Sequence, residues 1–156
     1  MKLKNVVIAG LTFAVAVSSA FAQMKADDAI KVRQAGYRFM GWNMSRIDAS
    51  LKGEFKKEDV VKAAAAIQAI ANAGLSPLFP AGSDKGTGFH ETHLKSEFFD
   101  PANSKKVAEL FGNLAKESGE LAKVAATGDK EAVKVQYGKL GQTCKACHDD
   151  FRKSDH

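Results

Sequence analysis

A Cys-x-x-Cys-His run lies near the C-terminus and restricts the fold more than any other feature of the chain. It holds both cysteines, Cys144 and Cys147, directly before His148. This spacing is the signature of c-type haem attachment, in which two thiols add to the porphyrin vinyl groups and the imidazole binds the iron. On a helix, positions i, i+3 and i+4 share one face, so the three side chains would lie under one ring. We therefore expect a fold that encloses a large, flat, apolar cofactor.

Other sites also use a Cys-x-x-Cys pair, namely dithiol redox centres and zinc sites. A zinc site would need two further ligands, and only His90 and His93 are candidates in the interior of the exported chain. A thioredoxin-like centre would lie near a βαβ pattern, which the sequence lacks. The histidine next to the second cysteine and the export signal at the N-terminus both favour haem.

The first 22 residues have the form of a secretory signal peptide. Lys2 and Lys4 form a positive start, an apolar run covers 6–17, and an Ala-Phe-Ala cleavage site ends the segment. The segment is too short and wrongly flanked for a membrane anchor. Its removal lowers the net formal charge from +5 to +3, and no basic patch interleaved with aromatic residues indicates nucleic acid. We expect export to the periplasm, no membrane attachment after cleavage, and one mature domain over 23–156.

Apolar residues recur at helical spacing in four segments of the mature chain. The predicted helices cover about 27–50, 57–73, 101–126 and 129–153. No alternating strand pattern and no internal repeat accompanies them. The sequence predicts an all-α fold, an antiparallel four-helix bundle with the covalently bound haem between the helices.

Residues 74–100 separate the two helix pairs and contain two prolines and several glycines. An irregular connection of this length usually has a function or is held in place, and we expect it to wrap the haem edge. His90, Glu91, Thr92 and His93 lie here and are candidates to reach the haem propionates. The alternative for each is a place on a solvated crossover loop. The two histidines are also candidates for surface residues or adventitious metal ligands.

Several stretches resemble the cytochrome c′ family, the class II c-type cytochromes with high-spin haem. The family's first helix, in the variant with tyrosine over the haem, is similar to Arg33-Gln34-Ala35-Gly36-Tyr37-Arg38-Phe39-Met40-Gly41-Trp42-Asn43-Met44. The attachment site followed by Phe151-Arg152-Lys153 resembles the family's C-terminal end. The family's glycine-proline turn is similar to Phe79-Pro80-Ala81-Gly82-Ser83-Asp84, with the proline displaced by one residue. The resemblance covers the mature chain and implies a periplasmic bundle, commonly a homodimer, with one haem c per chain.

The resemblance also implies roles for single residues. His148 would be the only protein ligand of a five-coordinate iron. Arg152, one helical turn later, would cover the histidine side of the ring, and Arg33 and Gln34 would meet the propionates and the haem edge. Tyr37 would line the opposite, apolar side. A phenol has an unperturbed pKa near 10, so Tyr37 would be protonated and a poor iron ligand at neutral pH.

Two functions are open at this point. The first, implied by the resemblance, is a gas-binding protein whose five-coordinate iron takes NO and often CO. The second is an electron carrier with six-coordinate, low-spin haem, in which Met40 is the second axial ligand. No carboxylate pair or activated serine indicates an enzyme, and the sequence does not specify a redox partner.

Phe39 and Trp42 lie off the apolar stripe of the first helix that passes through Tyr37, Met40 and Met44. Two exposed aromatic residues close together form a patch that is typical of an interface, and in a two-fold dimer such a patch covers its own copy. We expect a homodimer through the first two helices. The alternative is that both rings pack on the second or fourth helix within one subunit.

Overall fold

The computed structural model describes residues 24–154, so the signal peptide expected at 1–22 lies outside the described residues. Within this range the chain forms four α-helices: α1, Ala26–Lys52; α2, Lys57–Ala71; α3, Ser104–Thr127; and α4, Lys130–Phe151. All four predicted helices are confirmed. The largest difference is at the start of α3, where Pro101–Asn103 forms a separate 3₁₀ turn. Two further 3₁₀ turns, Ser76–Leu78 and Ser96–Phe99, lie in the long crossover.

Short links make α1 and α2, and likewise α3 and α4, antiparallel neighbours. The tighter link is Gly128-Asp129. Gly128 has φ +80°, a left-handed conformation that glycine adopts without strain at a helix C-terminus. Asp129 then caps α4, because its side-chain oxygen accepts hydrogen bonds from the amides of Glu131 at 2.9 Å and Ala132 at 3.0 Å. The chain therefore reverses direction within two residues.

The hydrophobic core lies where the helix pairs face each other. Ile47, Ile67, Leu121 and Leu140, one from each helix, are all at most 1% exposed. Full burial of such a side chain contributes about 1.5–3 kcal/mol to stability. These four positions all belong to the apolar stripes that predicted the helices.

α1 and α4 contact each other only sparsely, although each packs closely on one other helix. α1 packs along α2, and α4 packs along α3. A gap therefore remains between α1 and α4, at the place where a bundle without a cofactor would have its fourth helix–helix interface. The crossover segment, residues 72–103, lies beside this gap.

Hydrogen bonds and close contact between the two backbones hold the crossover against α1. The Gln34 side chain accepts a hydrogen bond from the amide of Phe89 at 2.8 Å and donates one to the carbonyl of His90 at 2.9 Å. Just before these contacts, the crossover backbone comes so close that a Cβ atom on Gly88 would lie 2.9 Å from the amide nitrogen of Lys31. Because no side chain fits here, this position requires glycine.

The other end of the crossover is held on α4. The amide of Lys95 donates to the carbonyl of Phe151 at 2.9 Å, and the amide of Lys153 donates to the carbonyl of His93 at 2.7 Å. The crossover thus joins α1 to α4 across the gap, as expected for a segment that wraps a cofactor edge.

Candidate haem-binding site

A cavity of about 1140 Å³ occupies the gap between α1 and α4. Its volume exceeds the usual range of small-molecule pockets, about 300–1,000 Å³. Leu110, Phe111 and Leu114 of α3 form part of its wall, together with residues of α1, α4 and the crossover. A large apolar cavity in an otherwise close-packed bundle has the size and surface that a macrocycle requires.

Cys144, Cys147 and His148 all line this cavity from α4. The predicted placement on one helical face is therefore confirmed. Partial burial and the positive charge of Arg152 lower the pKa of His148. The imidazole is consequently neutral near pH 7, which is the form that binds a metal.

The two other interpretations of the cysteine pair do not agree with the structure. Burial raises the pKa of both Cys144 and Cys147, whereas a reactive dithiol needs a thiol with a lowered pKa. Within residues 24–154, no group of three or more His, Cys, Asp and Glu side chains is placed to hold a metal ion. His90 and His93 therefore do not complete a zinc site with the cysteines.

Arg33 lies at one end of the cavity and is only 6% exposed. Its guanidinium donates to the carbonyl of Leu78 at 3.3 Å, to Oγ of Ser83 at 2.8 Å, to the carbonyl of Ser83 at 2.6 Å and to the hydroxyl of Thr92. Among the described residues it forms no ion pair with a carboxylate, and burial lowers its pKa, an effect that the negative charge of Asp84 offsets only in part. A buried cation without an anionic partner is costly. This end of the cavity therefore suits an anionic group.

The charged residues of the cavity wall all have the same sign. Within the part of the chain that the structure describes, Arg33, Arg38 and Arg152 line the cavity, whereas no aspartate or glutamate does. Arginine pairs well with carboxylates because its planar fork of donors matches their geometry. A haem brings two propionate carboxylates and an apolar ring, so the arginines and the apolar wall both fit this group.

Tyr37 and Met40 line the cavity from α1, whereas the attachment motif lines it from α4. Burial, with smaller contributions from Cys147 and Cys144, raises the pKa of Tyr37 well above its ordinary value near 10. The ring of Tyr37 lies edge-on to Phe79, with centroids 6.4 Å apart. Met40 is 5% exposed and packs in the hydrophobic core.

The crossover contributes most of its predicted residues to the cavity wall. Thr92 is buried, and it lines the cavity together with Gln34, His90 and His93. Glu91 is exposed and is not among the lining residues. A contact of Glu91 with the cofactor therefore stays a prediction, and the position of Glu91 outside the cavity wall does not support it.

The model of the cytochrome c′ family matches residues 28–152. The chain belongs to the cytochrome c′ family. It is 52% identical over 132 residues to the cytochrome c′ of Rhodocyclus tenuis, a match that covers 84% of this chain and 98% of the relative. It is 43% identical over 142 residues to that of Allochromatium vinosum, a match that covers 91% of each chain.

Solved structures agree with this assignment. A cytochrome c′ described as having an unusual ligand-controlled dimer dissociation superimposes with a TM-score of 0.80 and 43% identity, over 85% of this chain and 100% of that chain. The cytochrome c′ of Thermochromatium tepidum gives the same TM-score at 41% identity, over the same shares of the two chains. The cofactor of this cytochrome c′ is haem c, bound covalently through Cys144 and Cys147.

Sequence reasoning missed an aromatic cluster in this cytochrome c′. Phe98 of the crossover stacks on Phe79 at 4.8 Å between ring centroids and lies edge-on to Phe151 of α4 at 5.6 Å. Phe111 of α3 lies 5.5 Å from Phe79. The sequence did contain a signal for this cluster. The chain has ten phenylalanines, and Phe98 and Phe99 are adjacent in a segment that otherwise reads as a loop.

Proposed function

We propose that this cytochrome c′ is an exported haem c protein with five-coordinate iron, which binds NO and CO and is not an enzyme. The observation that carries the proposal is the wall formed by α1. Among the α1 residues that line the cavity is Tyr37, whose buried phenol stays protonated because burial raises its pKa. A protonated phenol is a poor ligand, so the sixth coordination position stays open.

Each residue of the site has a defined part in this function. Bound haem iron supplies an open position for a diatomic ligand. His148 provides the protein ligand as a neutral imidazole, because burial and Arg152 lower its pKa. Arg33 and Arg38 carry the positive charge that balances the propionates, and Tyr37 limits the space for an incoming ligand.

The second candidate is an electron carrier with six-coordinate iron, in which Met40 is the second axial ligand. Its support is that Met40 lines the same cavity. The packing of Met40 favours the first candidate, because its side chain is 5% exposed within the core that also contains Ile67 and Leu140. Turning the thioether toward the iron would remove it from that core.

The absorption spectrum of the reduced protein separates the two candidates. Five-coordinate, high-spin iron gives a broad band, whereas six-coordinate, low-spin iron gives a narrow, split α/β pair. We expect the broad band, and we expect no change in Met40→Leu, which removes the sulfur but keeps the volume. A split spectrum that becomes broad in Met40→Leu would establish the electron carrier.

Ligand kinetics test the part assigned to Tyr37. Because its ring lines the cavity in which the haem would lie, Tyr37→Ala should accelerate CO binding after flash photolysis. Tyr137→Ala is a matched control, since Tyr137 does not line the cavity. Equal rates in wild type and Tyr37→Ala would show that Tyr37 does not guard the site.

A homodimer through α1 and α2 is part of the proposal. Phe39 and Trp42 are 47% and 54% exposed, and their rings lie 5.4 Å apart. Val32, Ala35 and Ala49 are also exposed and continue this row at alternating spacings of three and four residues, with Arg46 completing it. Such a row is typical of the seam between two packed helices, and its members Ala35, Phe39 and Trp42 also line the cavity. The ligand-controlled dimer dissociation described for one similar cytochrome c′ supports the same assembly.

The proposed location is the periplasm. It rests on the signal peptide expected at 1–22, with its positive start, apolar run and cleavage site. Over residues 24–154, the structure contains no helix long and apolar enough to cross a membrane. Cell fractionation of the expressed full-length chain tests this location. Haem protein that remains with the cytoplasmic fraction would argue against it.

A further inference from the structure

We propose that Phe89 shields an edge of the haem from water and thereby raises the reduction potential of the iron, and that Gln34 positions Phe89 for this role. Both residues line the cavity. The side chain of Phe89 is 68% exposed, the largest value among the exposed large apolar residues of the described range. The inference concerns the haem c itself, so it holds for either of the two candidate functions.

The place of Phe89, more than its exposure, indicates this role. Single exposed apolar side chains are common on protein surfaces and need no partner. Val135 is such a residue, since it is 60% exposed and does not line the cavity. Phe89 instead lies on the wall of a cavity whose size and apolar surface suit a macrocycle. An aromatic ring at this place offers apolar surface to a haem edge that would otherwise contact water.

The backbone of Phe89 is fixed at the tip of a tight turn. The amide of Gly88 donates to the carbonyl of His90 at 3.0 Å, and Thr87 and Glu91 form an antiparallel bridge on either side of the tip. The turn also lies so close to α1 that no side chain fits at Gly88. A side chain on a backbone held this way loses less conformational entropy when it packs against a cofactor.

Gln34 uses its whole amide group to hold this turn. Its Oε1 accepts a hydrogen bond from the amide of Phe89 at 2.8 Å, and its Nε2 donates to the carbonyl of His90 at 2.9 Å. The same Nε2 lies 3.2 Å from Nδ1 of His90. The family resemblance implies that Gln34 meets the propionates and the haem edge. These contacts indicate instead that Gln34 acts on the haem through the crossover.

Shielding changes the reduction potential in a defined direction. Oxidation of ferrous to ferric iron adds one positive charge, and water stabilises a charge better than an apolar side chain does. The apolar shell around a metal site therefore tunes its potential by controlling solvent access. With Phe89 in place the ferrous form is favoured, so the potential is higher than with a polar residue at position 89.

Spectroelectrochemical titration of the purified holoprotein tests the role of Phe89. Phe89→Ser should shift the potential to more negative values, so that the ratio of ferrous to ferric protein at a fixed applied potential falls about threefold or more. Phe89→Leu keeps an apolar side chain and should retain most of the wild-type potential. Val135→Ser is the matched control, because it changes an exposed apolar residue outside the cavity wall. An unchanged potential in Phe89→Ser, or an equal shift in Phe89→Leu or Val135→Ser, would overturn the shield.

A double-mutant cycle tests the positioning role of Gln34. Gln34→Leu removes both hydrogen bonds to the turn at similar side-chain size, and it should lower the potential of the wild type. If Gln34 acts through Phe89, the same substitution should add little in the Phe89→Ser background. Equal shifts in the two backgrounds would show that Gln34 acts on the haem directly. That result, or the absence of a shift in Gln34→Leu alone, would overturn the positioning role.

Discussion

Replacing Thr92 by valine should destabilise the protein by removing one hydroxyl that joins the crossover to α1. Thr92 is 4% exposed. Its oxygen accepts a hydrogen bond from the guanidinium of Arg33, donates to the carbonyl of Ser83 at 3.3 Å and accepts from the amide of Leu94 at 3.3 Å. Valine has nearly the same shape, so the substitution removes these three bonds without creating a cavity.

The size of the effect follows from the three bonds. A hydrogen bond to a charged group contributes about 1.5–3 kcal/mol. The two bonds at 3.3 Å lie at or beyond the usual range of distances and contribute less. Arg33 keeps both acceptors on Ser83, at 2.8 and 2.6 Å, so its charge is not left without partners. We expect the free energy of unfolding to fall by about 2–3 kcal/mol, a large fraction of the 5–15 kcal/mol typical of a domain.

Guanidinium unfolding of the ferric holoprotein, followed by circular dichroism, measures this change. Thr87→Val is the matched control, because Thr87 lies on the same crossover but is exposed and its hydroxyl forms no hydrogen bond among those described. We expect its effect to stay within about 0.5 kcal/mol. Equal midpoints for Thr92→Val, Thr87→Val and wild type would refute the view that Arg33 and Thr92 hold the crossover in place.

Three further predictions concern the core, the cavity and the interface. Leu121→Ala, at a site with no exposed surface, should lower the free energy of unfolding by about 2–5 kcal/mol; a loss below 1 kcal/mol in the same assay would contradict the assigned packing. Because burial raises the pKa of Tyr37, the folded state holds this proton longer than the unfolded state, so stability is complete below about pH 10 and falls as the pH rises further. Tyr37→Phe should reduce this alkaline loss but not abolish it, since the pKa of Tyr137 is also raised; an unchanged pH profile would count against the buried phenol. Trp42→Ala should weaken the dimer by about tenfold or more in sedimentation velocity, whereas Val135→Ala, at an exposed position on α4, should not; a monomeric wild type would remove the dimer.

The helices and the attachment site were predictable from sequence because their signals are local. The spacing of Cys144, Cys147 and His148 specifies covalent chemistry, and the apolar stripes through Ile47 and Leu140 follow the helical period. The stripe of α1 also left Phe39 and Trp42 outside it, and both are exposed.

The crossover was not predictable in the same detail because its contacts join residues far apart in sequence. Nothing near Arg33 in the chain indicates that Ser83 and Thr92 accept its hydrogen bonds. Likewise, the stacking of Phe98 on Phe79 depends on how the crossover folds back. Irregular segments have no period from which the direction of a side chain could be read.

The sparse contact between α1 and α4 has a consequence for the order in which the chain assembles. Two hairpins, α1 with α2 and α3 with α4, are closed by short links and form mainly local contacts, which favours fast formation. The hydrogen bonds of Arg33 join residues 45 to 59 positions apart, so their loop-closure entropy is larger. We expect these bonds to form late, after both hairpins. Until then the thiols of Cys144 and Cys147 face an open cleft. Haem can therefore reach them before the finished fold closes the cleft.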